Sequence, residues 1–160
     1  MNEDQNKTDQ KVYDSIDHLE PYLKELLAVA IQQLDHAYAP YSKFHVGAAV
    51  LLEDQSIYPG CNQENASYPL CMCGERVALY NAAANKPGVL IKSLAITAKN
   101  LQKKLDQPVS PCGACRQVIL EYENKQNSPI EIILKGDTPE VYYFASSKIL
   151  LPFGFDSSFL

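Results

Sequence analysis

Leu23, Leu26, Leu27, Ala30, Ile31, Leu34 and Tyr38 recur every three or four positions. That spacing gathers them on one side of a helix and predicts an amphipathic first helix from position 19 to just before Pro40. From Phe44 the period shortens to two. Val46, Ala48, Val50 and Leu52 share one face of a predicted strand, and the polar Glu53-Asp54-Gln55 turns it into a second strand over 56–61, making a hairpin. A loop over 62–69 follows. Val77, Ala78, Leu79 and the Ala82-Ala83-Ala84 run then predict a second, largely buried helix from Cys73, stopped by Asn85-Lys86-Pro87-Gly88. Residues 91–98 read as a third strand and 100–109 as an exposed connection. A third helix is predicted over 112–124, with Val118, Ile119 and Tyr122 turned inward. Residues 130–134 and 141–144 complete five strands. A short last helix over 146–151 ends before Pro152, leaving Phe153-Gly154-Phe155 exposed enough to invite a partner.

Strands alternating with helices after an initial hairpin predict an α/β fold: a three-layer α/β/α arrangement around a five-stranded mixed sheet. Such layering brings successive helix N-termini to one edge of the sheet. Residues 1–17 are polar apart from Val12 and Tyr13, and read as a mobile leader without chemistry. The remainder, 18–160, suits a single domain with a sizeable core.

Charge narrows the function. Fourteen Lys and Arg against nineteen Asp and Glu give a net charge of −5, with no basic run to attract a phosphate backbone, so nucleic acid is not the expected partner. The N-terminus lacks the basic start and apolar run of a signal peptide. No apolar stretch approaches the ~20 residues of a membrane helix, and a soluble, cytoplasmic protein is expected. Five cysteines, an odd number set in close pairs, argue for metal-bound thiolates over a disulfide framework.

Four of the five lie in Cys71-Met72-Cys73-Gly74-Glu75-Arg76 and Pro111-Cys112-Gly113-Ala114-Cys115. Cysteines opening two helices can aim thiolates at one zinc ion, and the dipole and free N–H groups at each helix start favour the thiolate form. Two arrangements fit the spacing. In one, Cys71, Cys73, Cys112 and Cys115 close a structural site. In the other, Cys73, Cys112 and Cys115 leave a coordination position for water, and Glu75, two residues after Cys73, shuttles protons. Cys-x-Cys chelation is strained against the usual spacing of two to four intervening residues, and the closed site leaves Glu75 unexplained. Three thiolates donate enough electron density to make a bound water reluctant to ionise; Arg76, and secondarily Arg116, could restore its acidity by hydrogen bonding to sulfur. His18, His36 and His45 read as surface or capping residues.

Several blocks of this chain resemble, in order, the small homotetrameric zinc-dependent cytidine deaminases. They are Tyr38-Ala39-Pro40-Tyr41-Ser42-Lys43-Phe44, Val46-Gly47-Ala48-Ala49, Asn62-Gln63-Glu64-Asn65-Ala66-Ser67-Tyr68, Cys73-Gly74-Glu75-Arg76, Pro111-Cys112-Gly113-Ala114-Cys115-Arg116-Gln117 and Leu150-Leu151-Pro152. The Cys-x-Glu and Pro-Cys-x-x-Cys elements match the known zinc-deaminase signature. The resemblance implies one Zn²⁺ per chain on Cys73, Cys112 and Cys115 plus water, and Glu75 as the proton shuttle in deaminating cytidine and 2′-deoxycytidine. It implies that Asn62 and Glu64 bind the ribose 3′-hydroxyl and that Phe44 stacks on the pyrimidine. It further implies that Ala66, Tyr68 and Phe155 reach a neighbouring subunit's site in a homotetramer. The family usually has Ala where this chain has Gly74. The nearest rival enzyme is a blasticidin S-type aminonucleoside deaminase; the rival of another class is a non-catalytic module with the closed four-cysteine site.

Overall fold

The structure is a computed structural model describing residues 9–160. Six strands form one mixed sheet: β1 (Gln10–Tyr13), β2 (Phe44–Leu52), β3 (Ile57–Cys61), β4 (Ile91–Asn100), β5 (Glu131–Lys135) and β6 (Val141–Phe144). Three helices accompany them: α1 (Pro21–Gln32), α2 (Gly74–Asn85) and α3 (Gly113–Gln126). The strand order is β1-β6-β5-β4-β2-β3, with β4 and β5 parallel and every other pair antiparallel.

Alternation along the strands divides the core in two. Ala48, Val50, Leu52, Leu94, Ile96, Ile132 and Leu134 point to the side covered by Ala78, Leu79 and Ala82 of α2 and Ile119 of α3. Ala49, Leu51, Ala95, Ile133 and Val141 point the other way, against Leu23, Leu26, Leu27 and Ala30 of α1. The central strands therefore read as almost continuously apolar, because both faces are buried. The three layers follow the sequence reading. Differences lie at the ends: α1 tightens after Gln32 into a 3-10 turn, Gln33–His36, and the last helix shrinks to the 3-10 turn Ser147–Ile149.

Among the described residues the sheet has six strands, not five. The extra one, β1, comes from the segment read as a mobile leader; of that leader, residues 1–8 lie outside the described residues. Its pairing runs from Gln10 opposite Phe144 to Tyr13 opposite Val141. Without it, β6 would present an unpaired edge, and β1 satisfies those backbone groups while Tyr13 sets its ring edge-on to Tyr143, centroids 6.3 Å apart. The connection over 100–109 also differs from expectation. Pro108 is buried, Val109 is half-buried, and the Gln107 carbonyl sits so close to Gly136 that a Cβ there would lie 2.5 Å away.

Helix α2, which carries Cys73 and Glu75, rests directly on the β3 backbone at Gly60. A Cβ at Gly60 would lie 2.3 Å from the Ala78 nitrogen and 2.7 Å from the Gly74 carbonyl oxygen, both rigid backbone atoms. Gly60→Ala is therefore expected to push α2 off the sheet and destabilise the protein by about 1–3 kcal/mol, as overpacking does. A urea midpoint equal to that of the parent would show that this close approach is not needed.

Candidate metal centre and substrate pocket

Cys73 and Cys112 occupy equivalent places, each the extended residue immediately before a helix, with ψ of 148° and 164°. Neither sulfur caps its own helix, which leaves both free to face outward from the two N-termini. Cys115, one turn into α3, is fully buried. The three Sγ atoms lie within 4.8 Å of one another, those of Cys112 and Cys115 3.4 Å apart. A hydrogen bond from the Cys115 thiol, and secondarily the Arg76 guanidinium, bring Cys73 down to about 5 despite its burial, while the same bond and burial push Cys115 up. Three sulfurs so close cannot all ionise without a cation to balance them.

That donor set fits zinc: three soft ligands, preorganised by two helix starts, with no fourth His, Cys, Asp or Glu among the described residues in the cluster. Cys71 stands apart from it. Its Sγ accepts the Asn65 N–H at 3.2 Å, so it closes the loop between them. Cys61 is likewise taken up elsewhere, donating to the His36 carbonyl at 3.3 Å. The zinc site of this chain is the three-thiolate one.

The two arginines separate. Arg76 Nη2 lies 3.6 Å from Cys73 Sγ, as its position three residues along the helix implies. Arg116 does not join the sulfurs. Its Nε donates to the Pro111 carbonyl at 2.9 Å and its Nη1 to the Leu150 carbonyl at 3.0 Å, so it ties the start of α3 to the C-terminal segment. Glu75 sits in the first turn of α2, 3% exposed. Burial, and then the negative charge of Cys73, hold its carboxyl above the usual carboxylate range, against the pull of the Cys115 thiol.

Cys73, Cys112 and Glu75 form one wall of a cavity of about 400 Å³, a size suited to a small ligand. Phe44, Val46 and Ile96 supply apolar wall, and Asn62 and Glu64 polar wall; among the described residues no Lys or Arg lines it. The loop bearing Asn62 and Glu64 is fixed on both sides: Glu64 N–H donates to the Tyr38 carbonyl at 2.8 Å, and Gln63 and Met72 exchange two backbone bonds of 2.9 Å. Asn62 extends the ladder with its side chain, Oδ1 accepting from Val46 N–H and Nδ2 donating to the Phe44 carbonyl, each at 2.8 Å. One Nδ2 hydrogen remains for a ligand.

Ala66, Tyr68 and Phe155 are exposed and lie outside this wall. Tyr68 packs on Tyr41, and Phe155 stacks on Phe159 at 5.6 Å while Gln117 holds its backbone. The sequence reading missed Ser42, Ile96, Met72, Val109 and Ser110 as wall residues. Ile96 was signalled by strand alternation opposite Ala48. Val109 and Ser110 had only their nearness to Pro111-Cys112. A separate cavity of about 220 Å³, near the C-terminal ends of α2 and α3, has among the described residues no carboxylate, thiol or imidazole in its lining.

Comparison with known proteins points the same way. Residues 21–128 match the family model of the cytidine and deoxycytidylate deaminase zinc-binding region. The cytidine deaminase of Sporosarcina psychrophila is 45% identical over 119 residues, which is 74% of this chain and 82% of that one. The cytidine deaminase of Halalkalibacterium halodurans is 41% identical over 116 residues, 72% and 83% of the two chains. The crystal structure of the cytidine deaminase from Burkholderia pseudomallei, 39% identical, superposes with a TM-score of 0.71 over 82% of this chain and 97% of that one. Since the matched stretch begins with α1, ends just past α3 and takes in all three zinc ligands, the chain belongs to the zinc-dependent cytidine and deoxycytidylate deaminase family of hydrolytic enzymes.

Proposed function

We propose that this chain deaminates cytidine and 2′-deoxycytidine to uridine and 2′-deoxyuridine, releasing ammonia, as a cytoplasmic enzyme of pyrimidine salvage. The observation that carries the reading is Glu75, a buried carboxyl in the same cavity wall as Cys73 and Cys112 of the three-sulfur cluster. Zinc on Cys73, Cys112 and Cys115 would supply a Lewis acid that makes water nucleophilic near neutral pH. Glu75 takes one proton of the attacking water as the new C4–O bond forms and delivers it to N3, then takes the remaining proton of the C4 hydroxyl and passes it to the amine as the C4–N bond breaks and the carbonyl forms. Its raised pKa suits a group that must both accept and return a proton. Arg76, beside Cys73, draws density from the sulfur and keeps that water acidic.

The rest of the cavity holds the nucleoside. Phe44 stacks on the pyrimidine, the remaining Asn62 N–H donates to the ribose 3′-hydroxyl, and Glu64 accepts from it. Two carboxylates and, among the described residues, no Lys or Arg in the wall favour a nucleoside over a nucleotide, whose phosphate would find no basic side chain there. We place the exposed Ala66, Tyr68 and Phe155 at subunit contacts of a homotetramer, where each completes a neighbour's site. No described helix is long and apolar enough to cross a membrane.

Ultraviolet absorbance with zinc-loaded protein tests the substrate. Cytidine and 2′-deoxycytidine are expected to turn over, with cytidine monophosphate and blasticidin S inert. Turnover of blasticidin S alone would keep the zinc chemistry and overturn the pocket assignment. Silence on all four, with one zinc per chain, would overturn the catalytic reading.

A further inference from the structure

We propose that Gly74 is a positioning residue that sets the span of the cavity, from Cys73 and Glu75 at one end to Phe44 and Asn62 at the other, and so fits it to a cytosine joined directly to a sugar. The inference rests on the reading of those two ends as the reacting end and the nucleoside-holding end, and adds the residue that spaces them.

Gly74 opens α2, between a zinc ligand and the buried carboxyl. Its backbone does not call for glycine, since among the described glycines Gly88 alone has a positive φ. Glycine in a helix also costs stability against alanine, so the reason for it lies in its surroundings. A Cβ at position 74 would lie 3.0 Å from the Val46 carbonyl oxygen and 3.2 Å from both the Asn62 nitrogen and Val46 Cγ1. All three are closer than ordinary van der Waals contact. The bare Cα lets α2 approach where a side chain would hold it off.

The neighbours have little room to retreat. Asn62 N–H donates to Val46 O at 3.1 Å, and the Asn62 side chain holds Val46 N–H and the Phe44 carbonyl at 2.8 Å each. Val46 is also paired with Ala98 in the sheet. On the other side α2 is already seated on Gly60, where a Cβ would lie 2.7 Å from the Gly74 carbonyl oxygen. A side chain at 74 is therefore a wedge. Phe44, Val46, Asn62, Cys73 and Glu75 all line the cavity, so that wedge is driven between its two ends. Helix α3 supplies the contrast: Gly113 follows Cys112 as Gly74 follows Cys73, yet a Cβ there meets nothing within 4 Å.

The test compares the parent, Gly74→Ala and Gly113→Ala, each holding one zinc per chain, by crystallography and by cytidine kinetics. Gly74→Ala is expected to move Glu75 away from Asn62 by a few tenths of an ångström. It should lower kcat about fivefold with KM changed by less than about twofold, because the nucleoside still binds while its C4 is misplaced from the proton shuttle. Gly74→Ser, with the same Cβ, should match Gly74→Ala, and Gly113→Ala should match the parent in both readouts. An unchanged separation of Glu75 and Asn62 in Gly74→Ala overturns the proposal. So does a parental kcat at a widened separation, or an equal loss in Gly113→Ala. A parent that leaves cytidine untouched overturns the substrate reading instead, and the crystallographic separation then decides by itself whether Gly74 spaces the cavity.

Discussion

Glu75→Gln is expected to keep one zinc per chain and to lower kcat by at least about 10²–10⁴-fold, the usual contribution of a positioned acid–base group. Gln matches Glu in shape and keeps a hydrogen-bonding carbonyl, so the first turn of α2 and the three sulfurs are left in place. What it removes is the ability to take a proton from water and return it to the base. Because burial works against the ionised carboxyl, the neutral variant is expected to melt no lower than the parent and, at pH values above the ordinary carboxylate range, somewhat higher. KM should change little, since the lost interaction belongs to the transition state and not to binding. Metal analysis, a melting curve and steady-state kinetics on one preparation check all of this. Near-normal turnover with zinc retained would place the shuttle elsewhere; loss of zinc would make Glu75 part of the metal's own support.

The layers were legible because the central strands are apolar almost throughout, and successive residues of such a strand divide between two buried faces. Val46, Ala48, Val50 and Leu52 were readable as one face before any contact was known, and they do meet α2 and α3. The metal centre was legible for a related reason: cysteines at helix starts leave few directions for sulfur to point, and Arg76 lies one helical turn from Cys73. The failures share the opposite property. Arg116 follows Cys115 directly, but its partners are Pro111 and Leu150, the latter 34 residues away, and nothing local announces them. The strand β1 has only Val12 and Tyr13 to mark it, because its cause is the open edge of β6, a tertiary fact. Asn62 was read as a ligand-binding side chain, yet both ends of its amide are first engaged by Phe44 and Val46. Such a group holds the pocket's shape as well as whatever enters it.

Cys115→Ser is expected to lose stoichiometric zinc, whereas Cys71→Ser is expected to keep it. Cys115 is fully buried and its sulfur belongs to the cluster within 4.8 Å. A serine hydroxyl does not ionise there and is a poor ligand for zinc, so two thiolates would remain, one of them on the exposed Cys112. Activity should fall about 10³-fold or more, because the metal's Lewis acidity is worth several kcal/mol at the transition state. The variant should also melt lower than the zinc-loaded parent, by the binding free energy that no longer favours the folded state. Cys71 accepts the Asn65 N–H and donates to the Asn65 carbonyl, so the effect of Cys71→Ser is confined to the loop. Oxygen accepts that N–H as readily as sulfur does, and the zinc content should stay at one per chain. Zinc lost from Cys71→Ser would make Cys71 a ligand and restore the closed four-cysteine site, with no position left for water. Zinc held by Cys115→Ser would break the three-thiolate centre from the other side, since two thiolates would then suffice and the burial of the third would need another cause.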